Sequence, residues 1–224
     1  MWTTITAIYE HYATPDVLRL HMIRVAAVAD YIIENWQGPK LHRERILTTL
    51  LLHDIGKPVR NLDNADNAKD EDKAGNNRTA AEFAKRYGNE EHVASFNIAY
   101  ELGVNLEVCR LILNVGVPNN KMIAENKDWN LKVCSYADQR VAPYGIVSLQ
   151  ERFSDFKKRY EGTRFSIWNF KDQPAVIEAA FEIEKQVTNK ARLKPQQITN
   201  EAVARKINLL PNFIIRSKNM KKTV

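Results

Sequence analysis

Ile46-Leu47-Thr48-Thr49-Leu50-Leu51-Leu52-His53-Asp54-Ile55-Gly56-Lys57-Pro58 joins an apolar run directly to charged residues. At helical spacing Leu47, Leu50, Leu51 and Asp54 share a face, which aims a carboxylate at the interior from the last turn of a helix. Helix C-termini repel anions, and an ionised carboxylate among apolar side chains is costly unless a cation or several donors meet it. A metal ion removes that cost. His53 adds a nitrogen ligand, Gly56 frees the backbone to turn, and Pro58 stops the helix from resuming.

One His-Asp pair cannot hold a divalent ion alone, so further inward ligands are needed, and two stand at helical positions. His21 falls in the segment Asp16 to Trp36, where Leu18, His21, Val25, Val28 and Ile32 form one buried stripe. Thr14-Pro15 opens this helix and Gly38-Pro39 closes it. Asp138 shares a face with Leu131, Cys134 and Val141. Taken singly, His21 also fits a hydrogen-bonded core histidine, and each acid also fits a pairing with an arginine such as Arg24 or Arg140. Taken together, two inward acids and two histidines favour a metal site made of His21, His53, Asp54 and Asp138.

The order His, His-Asp, Asp resembles the HD superfamily of metal-dependent phosphohydrolases, and the resemblance runs over roughly residues 15 to 160. Ile55-Gly56-Lys57 is similar to that family's usual sequel to the pair, and Tyr136-Ala137-Asp138-Gln139-Arg140, followed by Ser148-Leu149 and Arg152, to its usual ending. The resemblance implies an all-α HD-domain helical bundle with metal-dependent phosphohydrolase activity. In relatives with a second metal, a histidine near the place of His92 belongs to the second site, together with another histidine one helix later. Here the later helix offers Asn114, a poor transition-metal ligand, so one ion is expected. In the nucleoside monophosphatase branch a glutamate shortly follows the pair; Gly56-Lys57-Pro58 has no such acid.

Two imidazoles and two carboxylates suit manganese, iron, cobalt, nickel or zinc better than calcium or magnesium. Beside these ligands the expected catalytic residues are Asp54, Lys57 and His92. Asp54 can accept a proton from water while remaining a ligand, and Lys57 can clamp phosphate. His92 is expected in the first turn of a helix capped by Asn89, on an inward stripe with Phe96, Ala99 and Leu102. There it can contact phosphate or donate a proton to a leaving oxygen.

Between Val59 and Asn77 the composition turns to Asn, Asp, Lys and Ala, and almost nothing can be buried. The spacing fails as a calcium loop, and a loop that covers the site, with Arg78 at its far end, is weighed against plain disorder. After Tyr160 an aromatic, turn-rich stretch, Glu161 to Phe170, precedes an amphipathic helix through Val176, Ile177, Ala180, Phe181, Ile183 and Val187. From Lys185 onward ten basic residues meet one acid, Glu201, in a chain of net charge +6. Such an end can bind nucleic acid or draw in an anionic substrate, but with Phe213 alone for stacking it reads more as a solvated basic appendage.

With 224 residues and 44% hydrophobic content, the chain can bury one large core or one core with an appendage. No strand-like alternation, signal pattern or membrane-spanning stretch is evident, and Cys109 and Cys134 on apolar faces read as reduced core thiols, so a cytosolic protein is expected. The expected organisation is an HD phosphohydrolase domain over 1–160 and a helical basic extension over 161–224. The expected function is divalent-metal-dependent hydrolysis of a small phosphorylated molecule, a nucleotide monoester first. A phosphodiesterase on cyclic or oligonucleotides is the runner-up, and a non-catalytic, metal-stabilised module that binds nucleic acid or protein is the contrasting reading.

Overall fold

The computed structural model describes residues 2–62, 80–160 and 173–216. Most of the expected covering loop with Arg78, the aromatic stretch after Tyr160, and Lys218, Lys221 and Lys222 lie outside the described residues. The rest is helical, as expected for an all-α bundle. The helices are α1 (Ile5–His11), α2 (Asp16–Glu34), α3 (Arg43–Leu52), α4 (80–87), α5 (Glu91–Leu102), α6 (Leu106–Asn114), α7 (Asn120–Glu125), α8 (Trp129–Gln139), α9 (Leu149–Tyr160), α10 (Gln173–Ala191) and α11 (Asn200–Leu209). Two short antiparallel pairs, not expected from the sequence, join β1 (Trp2–Thr4) to β4 (Ile214–Arg216) and β2 (Val141–Ala142) to β3 (Gly145–Ile146). Strands this short carry too few residues for alternation to register.

The middle of the bundle is α2 against α3. Every residue of α3 from Ile46 to Leu52 is buried, so this helix is enclosed on all sides. Along α2, Met22, Val25, Val28 and Ile32 are buried together with Ala26, Ala27 and Ala29, small residues that let neighbours approach on more than one side. Helix α8 packs on both, α6 packs on α3, and α5 packs on α6. These contacts bring the far ends of three helices to one place.

The C-terminal helices join the same core. Val176, Ala180, Ile183 and Val187 of α10, Val203 of α11 and Ile215 of β4 belong to one apolar cluster with α2, α3 and α8. Arg140, at the end of α8, is buried and donates to the Tyr136 hydroxyl at 2.7 Å and to the carbonyls of Pro195 and Ile198 at 3.1 and 3.2 Å. Lys206 of α11 reaches Asp30 on α2 at 3.0 Å and also Glu34. Part of the basic excess is therefore spent inside the molecule. Cys109 and Cys134 are buried free thiols.

Candidate metal centre

Helix α3 stops at Leu52, and the chain then turns tightly: the Ile55 amide donates to the Leu52 carbonyl and the Lys57 amide to the Asp54 carbonyl. Asp54 therefore lies in this turn and not, as the spacing implied, in the last helical turn. A 3-10 helix, Lys57–Leu62, follows, since Pro58 bars a return to the α ladder but tolerates a first turn. Gly56 is what lets the turn sit where it does. A side chain there would come within 2.4 Å of the Ser95 amide nitrogen and 2.7 Å of the Glu91 carbonyl, so α5 lies flush on the turn. The Gly56 amide donates to the Ser95 hydroxyl at 2.9 Å, which satisfies both buried groups.

Around this turn His21, His53 and Asp138 present ligand atoms within 4.8 Å of one another. Asp138 Oδ1 is 3.3 Å from both Nε2 atoms, and Asp54 Oδ2 is 3.5 Å from His21 Nε2 and 3.6 Å from His53 Nε2. His53 Nδ1 lies 2.8 Å from the Leu50 carbonyl, which can only accept, so the ring proton sits on Nδ1 and the Nε2 lone pair faces the cluster. Both Nε2 atoms are buried and lack an aligned hydrogen-bond partner among the described residues. Two orphaned imidazole nitrogens and the Asp138 oxygen form a donor set that a divalent transition ion fits, while Asp54, whose Oδ2 is held by Lys57, stands beside this set and is not one of its three clustered residues. The His53 and Asp54 side chains, 2% and 6% exposed, form the floor; those of His21 and Asp138, 13% and 18% exposed, form the more open edge.

Burial works against charge on all of these groups. For His21 it prevails, and its pKa falls below the ordinary imidazole value despite Asp138 and Asp54. For His53 the carboxylates of Asp54 and Asp138 overcome burial, and the pKa is pushed up to about 9, so with no cation in the centre a proton takes the Nε2 position, and a divalent ion would bind by displacing it. Burial would raise Asp54, but the Lys57 ammonium and the imidazoles hold it well below the usual carboxylate range. Burial opposes Asp138 in the same way, and both histidines hold it down. The acids are ionised at neutral pH.

Lys57 Nζ lies 2.5 Å from Asp54 Oδ2, and its own pKa is raised because Asp54 and Glu91 outweigh its burial. Glu91, absent from the expected set, is buried in the first turn of α5 and stands electrostatically between Lys57 and His92, with Oε1 3.6 Å from His92 Nε2. No spacing rule could have found it, because it reaches the site only once α5 folds onto Gly56. His92 is placed beside Gly116 and is not among the three clustered ligand residues. The expected cap of its helix is corrected: Glu90, not Asn89, caps α5, its carboxylate accepting from the Val93 amide at 2.8 Å. That amide is not open to phosphate. The inward stripe turns accordingly, to Glu91, Ala94, Ser95, Ile98, Ala99 and Leu102, leaving His92 and Phe96 partly exposed. Asn114 donates back to the Arg110 carbonyl of its own helix. Arg24 pairs with neither acid of the centre; its guanidinium donates to the Pro143 carbonyl.

Among the described residues no helix is long and apolar enough to cross a membrane. No curated protein and no solved structure matches the chain. The family model of the HD domain matches residues 19–140, just over half of the chain, and spans each of His21, His53, Asp54 and Asp138. The chain therefore belongs to the HD domain family, whose members are in general metal-dependent phosphohydrolases.

Proposed function

We propose that this protein is a divalent-metal-dependent phosphohydrolase acting on a small phosphomonoester, a nucleotide in the first instance. The observation that carries the reading is the pair of buried, unpartnered Nε2 atoms of His21 and His53 facing Asp54 and Asp138, with a lysine ammonium at the same carboxylate. In this reading His21, His53, Asp54 and Asp138 hold one ion of the manganese, iron, cobalt, nickel or zinc type. The bound ion supplies Lewis acidity, acidifying water and screening the charge of the phosphoryl group.

The remaining work falls to the chain itself. Lys57, about a third exposed and held at the rim by Asp54 and Glu91, meets a phosphoryl oxygen, and as an ammonium it offsets negative charge that grows toward the transition state. Asp54 accepts a proton from water; its depressed pKa makes it a weak base, and Glu91, whose charge acts on the same lysine, is a second carboxylate able to take that proton onward. His92, partly exposed at the start of α5, gives a proton to the leaving oxygen. The enclosed floor under His53 and Asp54 keeps bulk water from screening these charges.

The test is a panel of nucleoside monophosphates, simple monoesters, cyclic nucleotides and oligonucleotides, assayed after chelation and again with added manganese, cobalt or zinc. Release of inorganic phosphate from monoesters, restored by metal and abolished by chelation, supports the reading. Cleavage of diesters alone turns it into the phosphodiesterase. No turnover with any metal, together with nucleic-acid binding that weakens steeply with salt, replaces it with the binding module.

A further inference from the structure

The open edge of the centre is made by His21 on α2 and Asp138 on α8, and each of these elements continues into a feature that the proposed chemistry leaves unused. Arg24 lies three residues after His21 on the same face of α2. It has no carboxylate partner among the described residues; its Nη1 donates to the Pro143 carbonyl at 3.1 Å. Pro143-Tyr144 is the two-residue tip of the β2–β3 hairpin, which begins three residues after Asp138, with Val141 opposite Ile146 and Ala142 opposite Gly145. Val141 and Ala142 are fully buried, whereas Tyr144 is 65% exposed. An exposed aromatic ring thus stands on a buried base.

Three contacts fix that base. Arg24 ties the tip to α2. The Val147 amide donates to the Arg140 carbonyl at 2.8 Å. Asn200, the first residue of α11, accepts from the Ile146 amide at 3.1 Å. Its side chain presses on Gly145, where an added Cβ would lie 3.0 Å from Asn200 Oδ1 and where φ is +148°, so only glycine allows this close approach. The extension thus reaches back to the hairpin beside the centre.

We infer that Arg24 and Tyr144 form the subsite for the organic part of the substrate: Tyr144 stacks on a nucleobase, Arg24 meets sugar or phosphate oxygens, and Asn200 is the positioning residue that holds the platform. The inference rests on the phosphohydrolase reading for the placement of the phosphate, and it adds the side from which the rest of the substrate approaches. Lys57 then meets the phosphate from beside Asp54, and Arg24 meets the substrate from beside His21. Stacking on an exposed aromatic is tolerant of base identity, so purine and pyrimidine nucleotides are both accommodated, with purines favoured by ring area.

The experiment compares adenosine 5′-monophosphate with glycerol 3-phosphate, which carries no ring. Steady-state kinetics with manganese are paired with calorimetric dissociation constants, also in manganese, for the non-hydrolysable phosphonate analogue of the nucleotide. Tyr144→Ala raises KM and Kd for the nucleotide about tenfold and leaves glycerol 3-phosphate unchanged. Tyr144→Phe restores nucleotide binding, and Asn200→Ala shifts KM for the nucleotide in the same direction without moving kcat for glycerol 3-phosphate. Because Tyr144 is exposed, its variants do not threaten the fold. Nucleotide constants unchanged in Tyr144→Ala overturn the subsite while the hydrolase stands. Tyr144-dependent nucleotide binding without hydrolysis of any ester overturns the hydrolase and leaves the subsite.

Discussion

At the residue scale, Asp138 and Lys57 do different things, and substitution separates them. Asp138→Asn keeps the shape but removes the anionic oxygen that stands 3.3 Å from both imidazoles. It is expected to weaken manganese binding at least a hundredfold and to abolish hydrolysis, as read by calorimetry and phosphate release. Lys57→Ala is expected to lower kcat/KM about tenfold or more, through kcat, with metal affinity retained, since an ammonium acts on phosphoryl charge rather than on ligation; loss of the metal instead would reassign the lysine. His21 and Asp138 were legible in the sequence because each falls on an apolar stripe, where a polar side chain needs a reason, and His53 because it adjoins the inward-aimed Asp54. Asp54 was expected as a ligand in the last helical turn, and the structure places it in the turn after α3 with Oδ2 3.5 and 3.6 Å from the two imidazoles. The turn that moves it off α3 depends on Gly56 meeting α5, and no local pattern encodes that meeting. Glu91 was hidden for the same reason.

At the scale of elements, the contact between the turn and α5 decides whether the site forms. Gly56→Ala puts a methyl group within 2.4 Å of the Ser95 amide nitrogen, an atom that cannot move without carrying α5 with it. A loss of about 2–3 kcal/mol in chemical denaturation is expected, with a fall in activity larger than the stability loss explains, because Lys57 and Glu91 come apart. Wild-type stability and turnover in this variant would show that α5 does not hold the site. This same packing explains why the first turn of α5 differs from expectation. Asn89 is a better intrinsic cap than Glu90, but seating Ser95 on Gly56 fixes the rotation of the helix, and the cap follows. Helices α2 and α3 needed no such information; the apolar stripe and flanking prolines of α2 and the continuous apolar run of α3 located them.

At the scale of the molecule, charge ties the C-terminal helices to the bundle. Asp30 on α2 accepts from Arg43 at 2.6 Å and from Lys206 at 3.0 Å; burial would raise its pKa, but these two cations bring it below the ordinary 3.8. A carboxyl with a depressed folded-state pKa contributes stability above its unfolded value and loses it as pH falls through the folded value. Thermal stability is therefore expected to drop below about pH 4, and Asp30→Asn to flatten that part of the profile while lowering stability at neutral pH; an unchanged acid limb would contradict this. Arg140→Met, which strips the buried donors to Pro195 and Ile198, is expected to cost about 2–4 kcal/mol, measured by urea unfolding. The sequence showed a basic end but not that Lys206 is nearly buried against Asp30 and Glu34, because the pairing spans most of the chain. The β1–β4 pair was unreadable for a related reason: its strands, three residues each, gain their meaning only from each other.

Anomalous diffraction at the zinc edge from zinc-loaded crystals tests the central claim most directly. A single peak about 2.0–2.2 Å from His21 Nε2, His53 Nε2 and one oxygen each of Asp54 and Asp138 is the predicted result. Zinc bound elsewhere, or a peak that leaves either imidazole unligated, would contradict the account.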